Sequence, residues 1–507
     1  MRDIERRQLS LIVLLIMPVL FWGMAVKKTE VLTLPKWKSA WELLKHTHEK
    51  PVLLAAAIAG LFLGIFMVWL LAQLSKSEFG FAPFKKFLRG TKTTSVSGLK
   101  SLTRERKEEQ VTIADIPMPT HVENLHLLVQ GATGSGKTVL MKELAYKSLK
   151  RGDRAIFLDP NGDMYSKFGR PKDKVLNPYD QRTEGWTFFN EIRTDYDFHR
   201  YALSLVPRGK TADAEEWCAF GRLLLRETAR KLKLLGKPSV YELFHWTTIA
   251  EPDALKAFLT GTVAESLFAG SSEASKALTS ARFVLSDKLP EHLNMPAGDF
   301  SLRKWLEEGE GNLYITWRED MAEAMKPLIS AWIDSLFVSI LSMPEDENRR
   351  IWAFIDELAS LEKLASLEAA LTKGRKHGLR VVAGLQSTAQ LDDIYGRDLA
   401  QTLRSCFRNL AVLGGSKTDP RTSKDMSDAL GKHEVLRDKY SRNTGKNTTT
   451  GMSEETKPEN VVEPSEIASL PELTGYIAFA GDFPLARFKL KPFNFTKVNE
   501  PFIERAA

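Results

Sequence analysis

Two long apolar runs near the amino terminus stand apart from a chain that elsewhere mixes apolar and charged positions. Residues 9–26 pass 18 positions without a charge, and residues 51–74 pass 24. Each is long enough to cross a bilayer as a helix. Lys27-Lys28 follows the first run and no small-residue cleavage site does, so an anchor is expected rather than a signal peptide. The pattern predicts a transmembrane hairpin within residues 1–75, with helices at about 9–26 and 51–74. The loop 27–50 between them carries Trp37 and Trp41, which suit a membrane interface, and is expected to be periplasmic. Residues 76–110 then read as a basic juxtamembrane linker with Lys85, Lys86, Arg89, Lys92, Lys100, Arg104, Arg106 and Lys107. Either it lies near anionic lipid or DNA, or it is a solvated connection.

Beyond the linker the period changes. Leu125–Gln130 is a short apolar run, Val139–Leu149 has helical spacing, and Arg154–Leu158 is apolar again. Strand, helix, strand in so short a span predicts a βαβ unit and a parallel sheet. Further strands are expected at Arg349–Ile355, Leu379–Leu385, Leu410–Leu413, Tyr476–Ala480 and Ala486–Leu490. Residues 191–299 instead show helical spacing only, with helices at Trp217–Leu235, Ser239–Trp246, Pro252–Leu259 and Ser272–Leu289. The division is therefore an α/β domain from 111–190 and 300–507, interrupted by an all-α domain. Ser441–Pro464, rich in Thr, Asn, Lys and Glu, reads as a long mobile surface loop.

Candidate chemistry begins at Gly131-Ala132-Thr133-Gly134-Ser135-Gly136-Lys137-Thr138, a G-x-x-x-x-G-K-[ST] loop set between a strand and a helix. Glycines let the backbone approach anions, and the helix N-terminus faces them with N–H groups. Lys137 would reach the β/γ-phosphates of ATP, and the Thr138 hydroxyl would ligate Mg²⁺. The run ending in Asp356-Glu357 is its complement: Asp356 for Mg²⁺ and Glu357 as general base toward the attacking water. Gln386, ending the next strand, either senses the γ-phosphate or caps a turn. Arg375 is either an arginine finger toward a neighbouring subunit or part of a solvated basic patch. Asp159, at a strand's carboxyl end, either faces the nucleotide or initiates the turn to Asp163.

The balance of 71 basic and 64 acidic residues, net +7, is compatible with nucleic acid or anionic lipid but diagnoses neither. The helix 217–235 carries Arg222, Arg226, Arg230, Lys231 and Lys233, a face for DNA or simply a solvated exterior. Trp217 and Trp246 are expected in the core. Two cysteines, Cys218 and Cys406, and nine histidines show no metal-ligand spacing, and the thiols are expected buried and reduced.

The ordered set of motifs is more specific than any one of them. The hairpin, Gly131–Thr138, Asp159-Pro-Asn-Gly-Asp163, Asn177-Pro-Tyr-Asp180, Gly185-Trp-Thr-Phe-Phe-Asn190, Ile355-Asp-Glu-Leu-Ala-Ser360, Gly384-Leu-Gln-Ser387 and Gly481-Asp-Phe-Pro484 resemble the conjugative type IV coupling proteins of the TrwB/TraD type. The resemblance implies a RecA-like, hexameric, DNA-dependent ATPase of the bacterial inner membrane, with two spans and both termini and the ATPase domain cytoplasmic. Its partners would be single- and double-stranded DNA with little sequence specificity, a relaxase, the inner-membrane components of a type IV secretion channel, and the lipid bilayer. Lys137, Thr138, Asp356, Glu357 and Gln386 carry over as nucleotide-site residues and Arg375 as a contact in trans. Two other readings stay open: an FtsK-like DNA translocase without a secretion partner, and a docking receptor in which ATP is only a conformational switch.

Overall fold

The computed structural model describes residues 3–29, 41, 43–74, 84, 86–443 and 449–506. It divides into two compact units, Met1–Phe87 with Leu436–Thr456, and Leu88–Val435 with Lys457–Ala507. In the first unit, helices Asp3–Thr29 and Pro51–Leu74 form a hairpin whose outward side chains, such as Leu15 and Phe62, are exposed. Close approach at Gly60 sets their contact, since a Cβ there would stand 2.6 Å from the Met17 carbonyl oxygen. The Trp22 indole donates to the Thr47 hydroxyl at 2.9 Å, tying the first helix to the connecting segment. Trp37 lies outside the described residues, and Trp41 is exposed.

The second unit is built on a ten-stranded sheet. In chain order its strands are β1 (Thr93–Thr94), β2 (Leu127–Gln130), β3 (Arg154–Pro160), β4 (Lys174–Leu176), β5 (Leu313–Trp317), β6 (Ile351–Ile355), β7 (Leu379–Leu385), β8 (Asn409–Leu413), β9 (Thr474–Ala478) and β10 (Leu485–Lys489). Their spatial order is β1-β10-β9-β8-β2-β7-β6-β3-β5-β4. From β8 to β4 every pairing is parallel, while β9 runs antiparallel to both neighbours. The parallel strands are buried on both faces, which is why they read as unbroken apolar runs.

Successive strand residues serve opposite faces. Phe157, Tyr314, Trp352 and Phe354 stack on one face, with ring centroids of Phe157 4.7 Å from Tyr314 and 5.1 Å from Phe354. Against that face packs the helix Lys137–Lys150 through Leu140, Met141 and Leu144. The other face carries Ile156, Leu158, Ile315, Ala353 and Ile355, covered by the helix Ala322–Ser342. That helix is apolar and long enough to cross a membrane, yet most of it is buried in this fold.

Between β4 and β5 the chain is helical from Asp195 to Leu293, with helices Asp195–Leu205, Ala212–Leu234, Pro252–Leu259 and Ser272–Lys288 as the main pieces. Its apolar residues, Leu224, Leu225, Leu243 and Leu285 among them, join the same hydrophobic cluster as the second sheet face. Entry and exit of this segment are clasped together. A Cβ on Gly185 would lie 2.6 Å from the Ala297 carbonyl, and Asn190 Nδ2 donates to the carbonyls of Gly298 and Phe300, both at 2.8 Å. Trp186 donates to the buried Glu191, which also accepts the Leu302 N–H. The motif 185–190 is thus the hinge plate of the insertion.

Several expectations are corrected. The segment expected as a mobile loop at 441–464 contains the end of one long strand, Lys432–Asn443, and the whole of another, Thr449–Asn460; with Lys86–Gly90 they form a second sheet in which Lys432–Asn443 is the middle strand. Residues 454–458 are exposed, so backbone pairing holds this polar strand and no apolar alternation announces it. Part of the expected linker 76–110 belongs to the fold: Thr93–Thr94 extends the large sheet beside β10, and helix Val96–Thr103 buries Leu99. The α/β unit therefore starts upstream of residue 111. Lys85 lies outside the described residues, and Arg89 is paired with Glu434 at 2.7 Å. Trp217 is 53% exposed rather than a core anchor, whereas Trp246 stacks on Phe258 at 4.1 Å. Cys218 and Cys406 are free and half-buried rather than buried.

Candidate nucleotide site

The loop Gly131–Thr138 leaves the carboxyl end of β2, the place where open parallel sheets present ligand sites. Its neighbours hold its backbone. The Gly131 N–H donates to the Leu385 carbonyl at 3.2 Å, and the Ala132 N–H to the Gly414 carbonyl at 2.8 Å. Leu473, itself at φ +61°, donates its N–H to the Ser135 carbonyl at 3.0 Å. Gly134 and Gly136 have φ of +78° and +113°, the left-handed region that favours glycine. Around Gly134 nothing stands within 4 Å of a Cβ, so the loop opens outward there. Lys137 begins the helix and bends back over the loop, donating to the Gly131 carbonyl at 2.8 Å and the Ala132 carbonyl at 3.3 Å. Burial lowers its pKa, against the pull of Glu357 and Asp356. A phosphate chain would give this buried ammonium better acceptors than carbonyls.

Asp356 and Glu357 leave β6, two strands from β2 with β7 between them. Thr138 donates its hydroxyl to Asp356 at 3.1 and 3.2 Å from the two carboxylate oxygens. Burial raises the Asp356 pKa, while that hydroxyl and Lys137 oppose the rise. Among the described residues no group of three His, Cys, Asp or Glu forms a metal cluster. Two oxygens, from Thr138 and Asp356, suit a hard cation that keeps several waters and takes phosphate ligands, which is the habit of Mg²⁺.

Glu357 is the anomaly of the site. Both its carboxylate oxygens are buried and neither closes a hydrogen bond. Burial pushes its pKa up; the Lys137 charge opposes this first, then weaker approaches of the Ala359 N–H and the Gln386 amide. A buried, unpartnered carboxylate beside an anion-binding loop is costly to keep for structure alone, and it is what a general base requires. Gln386 completes the group: its Oε1 accepts from the Thr133 hydroxyl at 2.9 Å, joining the end of β7 to the loop.

Residues Gly131–Thr138, Asp356, Glu357 and Gln386 are thus brought to one end of the sheet, and Arg375 is not. It lies in the turn Gly374–His377 before β7, whereas Gln386 follows β7. Seven strand residues at about 3.3 Å each put it about 20 Å away along the sheet. It is exposed, and its guanidinium has no hydrogen bond or ion pair among the described residues. Asp159 does not reach the loop either. It is buried and accepts the Met164 and Tyr165 N–H groups at 2.8 and 2.7 Å, capping the helix Asp163–Phe168. Asp163 pairs instead with Lys142 of the P-loop helix and with Lys167. The basic face of helix Ala212–Leu234 is largely neutralised: Arg222 pairs with Glu215, and Arg230 with Asp195 and Glu227.

One contributor had no part in the expected site. A Cβ on Gly384 would stand 1.8 Å from the Asp356 carbonyl oxygen, so β6 and β7 meet there only because residue 384 is glycine. A glycine inside a strand is itself a signal of such close approach. Leu473 gave no comparable signal.

This geometry coincides with a broad likeness to known proteins. Residues 110–491 match the model of the type IV secretion-system coupling protein DNA-binding domain. The chain belongs to this family. As a coupling protein it is 30% identical over 427 residues to Coupling protein TraD of Escherichia coli K12, covering 80% of this chain and 58% of TraD. It thus spans a little over half of that relative's length. Among solved structures it is similar to the unbound monoclinic form of the bacterial conjugative coupling protein TrwBdeltaN70. That likeness has 66% identity and a TM-score of 0.81, over 84% of this chain and 99% of the other. It is also similar to the plasmid coupling protein TrwB in complex with ADP and Mg²⁺, at 64% identity and a TM-score of 0.80, over 85% and 100% of the two chains.

Proposed function

We propose that this coupling protein is an ATP-hydrolysing motor of the bacterial inner membrane that links a relaxase–DNA complex to a type IV secretion channel and drives single-stranded DNA transfer. The observation that carries the reading is the buried, unpartnered Glu357 carboxylate, set beside Lys137 and between Asp356 and Gln386. A positioned general base is what hydrolysis needs and binding alone does not.

In this reading the loop 131–138 binds the triphosphate through its N–H groups and Lys137, and Thr138 with Asp356 holds Mg²⁺. The bound metal supplies charge neutralisation across the β- and γ-oxygens. Glu357, ionised, orients the attacking water and takes its proton. Gln386 faces the γ-phosphate with its amide N–H groups, its carbonyl oxygen being held by the Thr133 hydroxyl. Arg375, remote from its own loop, suits a neighbouring subunit's nucleotide in a ring. That requires a homo-oligomer, in this reading a hexameric ring. The hairpin helices, both apolar and long enough to span, anchor the motor with the ATPase unit on the cytoplasmic side.

The test is transfer between cells. Replacing the gene on its plasmid with Lys137→Ala or Glu357→Gln is expected to abolish plasmid transfer while leaving plasmid maintenance unchanged. Transfer at the wild-type frequency with either variant would overturn the proposal and favour a translocase that serves the cell's own DNA.

A further inference from the structure

We propose that a cleft of about 250 Å³, walled by segments that follow the hydrolytic residues in the chain, seats one nucleotide unit of the single DNA strand, with Arg208 and Lys363 on its phosphates. The inference rests on the DNA-dependent motor reading above and deepens it by naming the contact.

Two of the cleft's walls belong to segments that run on in the chain from the residues proposed to face the γ-phosphate. The segment that follows Glu357 enters it at Lys363 and Leu364, and the segment that follows Gln386 enters it at Tyr395. The two segments touch there, the Leu364 N–H donating to the Tyr395 hydroxyl at 3.2 Å. A third wall comes from the insertion, where Pro207 and Arg208 follow the helix Asp195–Leu205. Lys210, two residues on, reaches across to Asp393 at 2.9 Å, so this loop is tied to the segment after Gln386 as well.

Charge decides what the cleft takes. Arg208 is exposed and Lys363 half-buried, and neither makes an ion pair among the described residues. The acids around them are mostly spent: Asp393 on Lys210, Glu362 on Lys288 at 2.5 Å, and Glu215 on Arg222 and the Gly209 N–H. Glu368 alone lines the cleft without a cation. Arg208, drawn to Glu215 without closing an ion pair, and Lys363 outnumber the one unpaired lining carboxylate and favour an anion, and a rim arginine with a flexible lysine suits phosphodiester oxygens. The floor is apolar, formed by Leu364, Leu399 and Leu403 with the buried Tyr395. It offers no set of polar groups that could read one base edge against another. Sugar and base rest on it without sequence choice, as in other single-strand grooves. A strand seated here presses on the segments that begin at Glu357 and Gln386, so occupancy and hydrolysis are coupled through them.

The experiment uses the full chain in lipid nanodiscs with a fluorescent oligo-dT. Binding is measured across a salt series, and ATP hydrolysis with and without the oligonucleotide, for wild type, the double variant Arg208→Gln/Lys363→Gln, and the charge-preserving Arg208→Lys/Lys363→Arg. In the Gln pair the slope of log K against log salt is expected to fall by about 0.7 for each phosphate that is no longer neutralised. DNA stimulation is expected to vanish too, while DNA-free hydrolysis stays within about twofold; the charge-preserving pair retains both. A Gln pair that keeps the wild-type slope and stimulation overturns the cleft and leaves the motor reading standing. A wild-type protein that binds no oligo-dT overturns both. A fluorescent polyglutamate peptide that binds the wild type and loses that binding in the Gln pair, while oligo-dT binding is unchanged by the Gln pair, overturns the nucleic-acid assignment in favour of an acidic protein segment.

Discussion

Gly384 and Asp356 meet backbone to backbone: a Cβ at 384 would lie 1.8 Å from the Asp356 carbonyl oxygen and 3.1 Å from Met141 Cε. The carboxylate proposed to hold the cation therefore owes its position to a hydrogen on the next strand. Backbone cannot yield as a flexible side chain does, so Gly384→Ala must part β6 from β7 or shift both. It is expected to cost about 1–3 kcal/mol of stability, and to weaken Mg²⁺-nucleotide binding at least tenfold. Thermal unfolding and nucleotide titration check the two halves separately; an unchanged nucleotide affinity would show that the contact does not set the site.

Glu357 is expected to leave a pH signature. Burial raises its pKa above the ordinary glutamate range, and hydrolysis needs the ionised form. The rate should fall as pH drops through that raised value, so the acid limb lies above the usual carboxylate range. Glu357→Gln should lower kcat by about 10²–10⁴, the span of general-base contributions, with nucleotide affinity kept. Single-turnover rates against pH measure both.

Arg375 stands at the far end of β7 from its own loop, so its effect should appear between subunits. Arg375→Ala and Lys137→Ala proteins are each expected to be inactive alone. Mixed and allowed to assemble, they should regain part of the hydrolysis, because an intact loop then faces an intact arginine. No recovery in mixed assemblies would place Arg375 outside the reaction.

His126 gives a stability signature. It is fully buried at φ +58°; its Nδ1 accepts the Val381 N–H at 3.0 Å and its Nε2 lies 2.9 Å from the Leu371 carbonyl. Burial lowers its pKa from 6.5 to about 4. Between those values the unfolded chain binds a proton that the folded one refuses, so this contribution to stability is lost as pH falls from 6.5 toward 4. His126→Gln should be less stable at pH 7 but lose one proton's worth of that acid dependence. Chemical denaturation at pH 7 and pH 5 measures it.

How much of this was legible in the residues depends on what each piece had to say locally. The strands β2, β3, β6 and β7 are buried on both faces, so unbroken apolar runs marked them within a residue or two. The loop 131–138 and the Asp356-Glu357 pair were legible because phosphate chemistry demands particular residue types at fixed spacing. The strands at 432–443 and 449–460 were not, since polar strands paired through their backbones carry no period-two signal. Trp217, expected in the core, falls instead on an open side of its helix. The unpartnered state of Glu357, the Gly384 contact and the cleft at Arg208 and Lys363 arise between segments far apart in the chain. Only the fold brings those segments together.

The central claim is that hydrolysis at this loop is a DNA-driven motor stroke, and ATP turnover by the full chain in nanodiscs tests it most directly. It would be measured with and without single-stranded DNA beside Lys137→Ala and Glu357→Gln. The account expects DNA to raise the rate many-fold and either substitution to abolish it. Slow turnover indifferent to DNA, at protein concentrations where the oligomer is demonstrably assembled, would contradict it and leave a nucleotide-switched docking receptor in its place.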